Sequence, residues 1–301
     1  MKIMTLTLNP CIDRTLWVED FDQKPIRIEK MSGGKGINVA RVLAALQEDC
    51  VAVTYTAGKT GREFEELARS EGIHLVAVPV SGNTRTIDTY ARLSDFQQKV
   101  VRESGPVLTE DDLEAIRKAV IERLPECAVL AVCGSASCPG GAKLIQELLA
   151  LAKSMGIRTL LDSNGEALAE GVKAIPDVLK VNENELSQIL GPSDDPAHSE
   201  AIRLTTEQGI GRVILTLGEK GCVQYLWEQS SFCPAPRINC INAVGSGDCF
   251  TAAWLHAQIR GFSHDGALMI ASAAGAANAM QFPAAKIKKE DIESIVGFSW
   301  N

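Results

Sequence analysis

The 301-residue sequence is poor in histidine, aromatic residues and positive charge, and each shortage removes a class of function. The four histidines, His74, His198, His256 and His264, form no close-spaced ligand set, and no CxxC pair stands beside them. A zinc site built from His and Cys is therefore not expected. Thirty Lys and Arg face 38 Asp and Glu, a formal charge of −8. Nonspecific nucleic-acid binding needs a basic footprint, so no nucleic-acid partner is expected. A small anion can still be bound if basic residues gather locally. No apolar run reaches membrane-spanning length, so no membrane partner is expected either. In "MKIMTLTLNPC", threonines and then Asn9-Pro10 interrupt the apolar residues too early for an export signal, and the segment reads as a strand. The nine cysteines are odd in number and scattered in apolar settings such as "AVLAVCGS". They suit buried thiols in a reducing cytoplasm better than a disulfide framework. No repeat, low-complexity tract or linker divides the chain, which reads as one domain over residues 1–301.

What is present is alternation. Residues 3–8 alternate like a strand, and "GKGINVARVLAAL" then carries Ile37, Val39, Ala40, Val42, Leu43 and Leu46 at helical spacing. "CVAVTYTAG", "IHLVAVPV", "AVLAVCGS", "IRTLLDSNG", "DVLKVNENE" and "GRVILTLGEKG" read as further strands. Helical segments separate them, one opened by Thr109 and Asp112 as in a capping box. The pattern predicts an α/β fold whose mostly parallel sheet is covered by helices on both faces. Two stretches, approximately within 11–31 and 83–104, instead alternate polar and β-forming residues, with "SDFQ" as a hairpin turn. They read as a small accessory β-sheet. Ligands in such folds bind beyond the C-terminal strand ends, where many polar clusters of this sequence fall.

Taken singly, those clusters have two readings each. In "AVGSGDCF", Gly245, Ser246 and Gly247 can turn backbone N–H groups onto an anion at a helix N-terminus, with Asp248 as a general base; or Asp248 only caps the helix. "SGGKGINVA" allows close backbone approach at Gly34 with Asn38 facing a ligand, or is an ordinary strand-to-helix turn. It is not a Walker A loop, because Gly36 follows Lys35. Asn182 and Glu185 in "KVNENEL" share one face of a helical turn and suit Mg²⁺ held through water, or are a solvated helix start. Arg27, Lys35, Arg85 and Arg102 lie in or beside the glycine loop and the accessory strands, and can grip a phosphate or serve as surface charges. Asp13 in "NPCID" follows a strand end and can bind hydroxyls or cap a turn.

In joint order, "NPCID … GGKGINVA … TRT … RESGP … DSNGEAL … KVNENEL … TLGEKG … AVGSGD" resembles the PfkB (ribokinase-like) carbohydrate kinases over essentially the whole chain. "TLNPCID", "GGKGINVARVL" and "TRT" are most similar to the branch of 1-phosphofructokinases, tagatose-6-phosphate kinases and the minor 6-phosphofructokinase. The resemblance implies an ATP- and Mg²⁺-dependent kinase with a ribokinase-like fold and a β-sheet lid. It makes Asp248 the base and Gly245, Ser246 and Gly247 the anion hole. It gives Asn182 and Glu185 to Mg²⁺ and its waters, and Lys180, Thr216, Gly218, Gly221 and Asn278 to the nucleotide side. Asp13, Gly34, Asn38, Glu103 and Ser135 would serve the sugar, and Arg27, Lys35 and Arg85 the phosphate already on it. The lid often pairs with a second copy in relatives, which implies a homodimer. The chain departs from the family pattern at "KVN" for KPN, "CGSASCPGG" for SGSLPPG, Cys249 for serine and Ala253 for glycine.

The expected reaction is ATP-dependent phosphorylation of a ketohexose phosphate, fructose 1-phosphate first, with tagatose 6-phosphate or fructose 6-phosphate as alternatives. A kinase of a neutral sugar or nucleoside would not need the arginine cluster. A Rossmann dehydrogenase would carry GxGxxG after its first strand, which is absent here. A catalytically dead sensor would not need Asp248, Asn182 and Glu185 together.

Overall fold

The computed structural model describes residues 1–136, 138–190, 198–227 and 229–300. Ser137 of "CGSASCPGG" lies outside the described residues. Strand β1 (Ile3–Thr7) opens the chain, followed by β2 (Cys11–Val18), β3 (Arg27–Gly33) and helix α1 (Lys35–Ala45). Next come β4 (Cys50–Ala57), α2 (Gly58–Ser70), β5 (His74–Val80), β6 (Arg85–Arg92) and β7 (Gln98–Arg102). Then α3 (Glu110–Ile121), β8 (Val129–Cys133), α4 (Pro139–Ser154), β9 (Arg158–Asp162) and α5 (Gly165–Val172) alternate. The second half holds β10 (Val178–Asn182), α6 (Glu183–Leu190), α7 (His198–Thr206), β11 (Arg212–Thr216), β12 (Cys222–Leu226) and β13 (Gln229–Cys233). Helices α8 (Ser246–Ile259), α9 (His264–Ala279) and α10 (Lys289–Val296) follow.

Among the described residues, nine strands form one sheet in the order β13-β12-β11-β10-β9-β8-β1-β4-β5. From β11 to β5 every neighbouring pair is parallel, and the β11–β12 pair and the β12–β13 hairpin are antiparallel. The sequence reading did not assign that hairpin. Helices cover both faces, as the alternation predicts. The period-2 geometry of strands divides the core. On β1, Ile3 packs with α1, α8 and α9, whereas Met4 and Leu6 pack on the opposite face with α3 and α4. The first face is lined with small residues, including Ala252, Ala253, Ala257, Ala271 and Ala274, which let α8 and α9 lie close together. Thr109 and Asp112 do form a capping box at the start of α3.

The two accessory stretches form a separate four-stranded sheet, β3-β2-β6-β7. Its β6–β7 hairpin closes at "SDFQ", where the Arg92 N–H donates to the Gln97 carbonyl at 3.0 Å. The pairing register explains what this sheet offers the rest of the molecule. Cys11, Arg85 and Gly33 share one rung, and Asp13, Ile87, Met31 and Arg102 the next on the same face. The opposite face carries Arg14, Lys30, Asp88 and Val101, with Arg14 held to Asp88 by two 2.5 Å bonds.

Phe64 of α2 is fully buried against the core between the central sheet and α1. Removing its ring leaves a cavity that the parallel sheet cannot close. Phe64→Ala is expected to lower unfolding free energy by about 3–5 kcal/mol in chemical denaturation; a loss below about 1 kcal/mol would contradict this packing.

Candidate active site

The C-terminal ends of the parallel strands open into a cleft of about 1330 Å³. Thr7 at the end of β1 and Asn9 after it, Ser135 after β8, Asn164 after β9, Asn182 on β10 and Thr216 on β11 line its floor. The small sheet supplies the opposite wall through Asp13, Ile87 and Arg102. Eight basic and five acidic side chains line this cleft in a chain of net charge −8. The local gathering of cations that an anion-binding acidic protein requires is therefore present.

Helix α8 begins at the floor. Gly245 caps it with φ +82°, a left-handed conformation that glycine adopts without steric cost, and a Cβ there would lie 3.0 Å from Ala284 Cβ. A Cβ on Gly247 would lie 3.0 Å from Lys180 Nζ. The glycines thus allow an ammonium and backbone amides to share a small space. The N–H groups of Ser246 and Asp248 bond to the carbonyls of Ala243 and Gly245 at 3.2 and 3.1 Å. The Gly247 N–H makes no bond to another described residue, and the helix dipole favours an anion in front of it.

Asp248 is 6% exposed and accepts a 2.7 Å hydrogen bond from Asn38 Nδ2. Burial pushes its carboxyl up to about 6, and the nearby Asp162 charge adds to the rise, while Lys35, the Asn38 bond and Lys180 act against it. Beneath it lies a group that the sequence reading left without a role. Asp162, at the end of β9, is fully buried. Its Oδ1 accepts from Lys35 Nζ at 3.0 Å and Lys180 Nζ at 3.3 Å, and its Oδ2 accepts from Thr251 Oγ1 at 2.7 Å. Burial opposes its ionisation, but Lys180 and Lys35 outweigh that and hold it at about 2. In the sequence its signal is the polar "DSNG" at a strand end.

The other sequence candidates divide. Gly34 stands in the cleft with φ +111°, where a Cβ would meet Thr7 Cγ2 at 2.9 Å, so only glycine fits. Asp13 and Asn38 line the same cleft, and burial raises the Asp13 carboxyl pKa. Arg85 lines it too, steered by the carbonyls of Asn9 and Pro10 at 3.1 and 3.4 Å. Ser135 accepts a 3.0 Å bond from Asn9 Nδ2. Thr216, Gly218 and Gly221 line the end near β11, and a Cβ on Gly221, at φ +117°, would meet the Ala235 nitrogen at 2.8 Å. Asn182 and Glu185 meet as expected, but they bond each other's backbone: Asn182 N–H to Glu185 Oε2 at 3.0 Å, and Glu185 N–H to Asn182 Oδ1 at 2.9 Å.

Four residues are placed differently from expectation. Lys35 does not sit beside Arg85; the carboxylates of Asp162 and Glu185 draw its Nζ to 3.0 Å from each. These charges raise its pKa despite burial. Arg27 follows the cleft-facing alternation of β3, but it is paired with Glu29 and lies outside the cleft. Glu103 also lies outside the cleft, its carboxylate accepting the Thr86 N–H at 2.8 Å. Asn278 is fully buried: its Nδ2 donates to Val244 O at 2.8 Å and Ser246 Oγ at 3.0 Å, and its Oδ1 accepts from Ala285 N at 2.6 Å. It braces the glycine loop from behind. Arg102 also reaches the cleft, and so does Arg41, which no sequence motif singles out.

The family profile for pfkB family carbohydrate kinases matches residues 4–288. The chain belongs to the pfkB family of carbohydrate kinases. A tagatose-6-phosphate kinase of Staphylococcus epidermidis is 30% identical over 302 residues, covering 97% of each chain. A 1-phosphofructokinase of Bacillus subtilis is 28% identical over 260 residues, covering 84% of each. Among solved structures, phosphofructokinase-2 from Escherichia coli in complex with potassium superposes with a TM-score of 0.90 at 25% identity over 98% of both chains. A ribokinase from Thermotoga maritima shares the fold at a TM-score of 0.78 and 21% identity, over 98% of this chain and 99% of its own. The fold is ribokinase-like, and as a carbohydrate kinase of this family the protein uses ATP.

The residues present suit a nucleotide's phosphates: the Gly245–Gly247 turn, the unpartnered Gly247 N–H and Lys180 converge on one point. Among the described residues no group of three or more His, Cys, Asp or Glu side chains could by itself hold a metal ion. A divalent cation would therefore be met through water and phosphate oxygens, which suits Mg²⁺.

Asp248 ties the site to stability. Its folded-state pKa, about 6, stands above the 3.8 of an unstrained aspartate. Its contribution to folding is thus fully present below about pH 4 and is lost as pH rises through about 6. Asp248→Asn is expected to stabilise the protein at about pH 8 by up to about 3 kcal/mol and to change little at about pH 4. Denaturant titrations at the two pH values check this; an equal effect at both would contradict the buried, ionised carboxylate.

Proposed function

We propose that this pfkB-family chain transfers the γ-phosphoryl group of ATP to a ketohexose phosphate. Fructose 1-phosphate is the first acceptor, yielding fructose 1,6-bisphosphate, and tagatose 6-phosphate is the second. The observation that carries this reading is the position of Asp248. It is a buried carboxyl with a pKa near 6 at a helix N-terminus, and the basic cleft faces it. Bound ATP supplies the phosphoryl group, and Mg²⁺ reached through water from Asn182 and Glu185 would offset phosphate charge. Asp248 accepts the proton of the attacking hydroxyl as the new bond develops. Its pKa suits the task, because near neutrality it is ionised yet basic enough to take that proton. The Gly247 N–H and Lys180 hold the charge of the moving group in a water-poor pocket. Asp13, Gly34 and Asn38 orient the sugar hydroxyls. Arg85, joined by Arg102 on the same wall, grips the phosphate already on the sugar.

The names of the two curated relatives support a phosphorylated ketohexose over a neutral sugar. A furanose bisphosphate is nearly symmetric end to end. A site that holds one terminal phosphate and phosphorylates the other end therefore suits more than one of these substrates. The small sheet acts as a lid that excludes water, which would otherwise compete as acceptor. Its outer side exposes Ile28 and Val101, with Ile26 in the loop before β3, and this apolar exposure supports pairing with a second copy as a homodimer. A cytoplasmic setting fits the nine free cysteines, and among the described residues no helix is long and apolar enough to cross a membrane.

An ADP-release assay decides between acceptors. Fructose 1-phosphate is expected to give the highest kcat/KM, above tagatose 6-phosphate, fructose 6-phosphate and free sugars. Activity on free sugars alone would overturn the sugar-phosphate reading. Arg85→Ala is expected to raise KM for the phosphorylated acceptor by about 10- to 100-fold with a smaller change in kcat. Asp248→Asn should lower kcat by about 10²- to 10⁴-fold while ATP binding, read by calorimetry, persists.

A further inference from the structure

The hydrogen bonds around Asp248 continue away from the cleft along a single path. The Asn38 amide that donates to Asp248 Oδ2 at 2.7 Å accepts, on its other side, a 2.8 Å bond from Arg41 Nη1. Both residues lie on α1, one turn apart, and both are buried. Arg41 is anchored in turn. Its Nη2 donates to the carbonyl and hydroxyl of Ser32, and its Nε donates to Glu71 Oε2 at 3.0 Å. Glu71, just past the end of α2, also accepts from the Ser32 N–H at 3.0 Å and from the Ser32 hydroxyl. All three guanidinium nitrogens are therefore engaged by protein, although Arg41 lines the deep end of the cleft. That leaves it poorly suited to grip a substrate phosphate.

An asparagine amide has one side that only accepts and one that only donates, and a half-turn about its last bond exchanges them. Arginine has donors only. With Arg41 in place, the Asn38 oxygen must face the guanidinium, and the NH₂ must face Asp248. We propose that Arg41 is a positioning residue for the base. By holding Asn38 Oδ1 it keeps an N–H on one Asp248 oxygen and leaves the other oxygen to take the hydroxyl proton. The same clamp fastens the base to Ser32 at the root of lid strand β3. The inference rests on the reading of Asp248 as the base in phosphoryl transfer.

The charged groups facing Asp248 are Lys35 on α1, Asp162 at the end of β9 and Lys180 on β10, with the Cys249 thiol beside it on α8. Asp13 and Glu71 face Arg41 from β2 and from the end of α2. Losing the Asn38 donor strips a bond from the ionised form of Asp248, so its pKa rises and the acid limb of kcat moves to higher pH. Arg41→Met alone leaves Glu71 without its cation, so Arg41→Met/Glu71→Gln is the companion variant. The acid limb is expected to move up by about one pH unit in either Arg41 variant and by a similar amount in Asn38→Ala. Adding Asn38→Ala to Arg41→Met/Glu71→Gln should shift it no further, because the two act through one bond. A wild-type limb in Arg41→Met/Glu71→Gln, or shifts that add, would overturn the proposal. Carboxyl ¹³C NMR of Asp248 in the unliganded enzyme reads the same pKa without any sugar. If the wild type phosphorylates no ketohexose phosphate, the functional reading fails, while the NMR titration still decides whether Arg41 orients Asn38.

Discussion

A single buried carboxylate organises the cleft. Asp162 brings α1, β9, β10 and α8 to one point through Lys35, Lys180 and Thr251. A charge in the interior is tolerable only when opposite charge and hydrogen bonds surround it, and removing one partner of such a group typically costs about 3–5 kcal/mol. The arrangement therefore does more than fill space. It sets where two ammonium groups stand, and both line the cleft. Lys35 is shared with Glu185, which extends the same constraint to the start of α6.

Asp248, the proposed base, depends on that centre in two opposing ways. Asp162 lies close enough to raise the pKa of Asp248, while Lys35 and Lys180 lower it. Burial tips the sum upward. A carboxyl raised to about 6 results from this competition, which suits the proton-accepting role proposed for it. The glycines of the α8 N-terminus complete the geometry because a side chain at Gly245 or Gly247 would occupy the space of Ala284 or Lys180. The turn at Gly245–Gly247 is thus both the start of a helix and part of the cleft floor.

Much of this was legible in the sequence because it is local. Hydrophobic period placed strands and helices, and Thr109 with Asp112 marked a helix start that the structure contains. Polar clusters at strand ends pointed to the edge of the sheet where the cleft opens, since parallel strands leave their C-terminal ends open to ligands. What was not legible is where long side chains reach. Lys35 belongs with Asp162, which follows it by 127 positions, and no pattern in "GGKG" contains that partner. Arg27 has the right alternation along β3, yet it sits on an outer rung and pairs with Glu29. Asn278 carries the right chemistry for a ligand but spends its amide on protein: Nδ2 on Val244 and Ser246 of the glycine loop and Oδ1 on the Ala285 N–H.

By itself, the sequence determined the class of fold and the ordered set of motifs that marks a pfkB-family kinase. Periodicity and glycine placement act over a few residues and survive without tertiary context. Only the tertiary structure decided which charges meet. Asp162, Lys35, Lys180 and Asp248 come from four separate elements, and Arg41 reaches Asp248 only through Asn38. The physical reason is that electrostatic coupling follows distance in space and burial, neither of which is written along the chain.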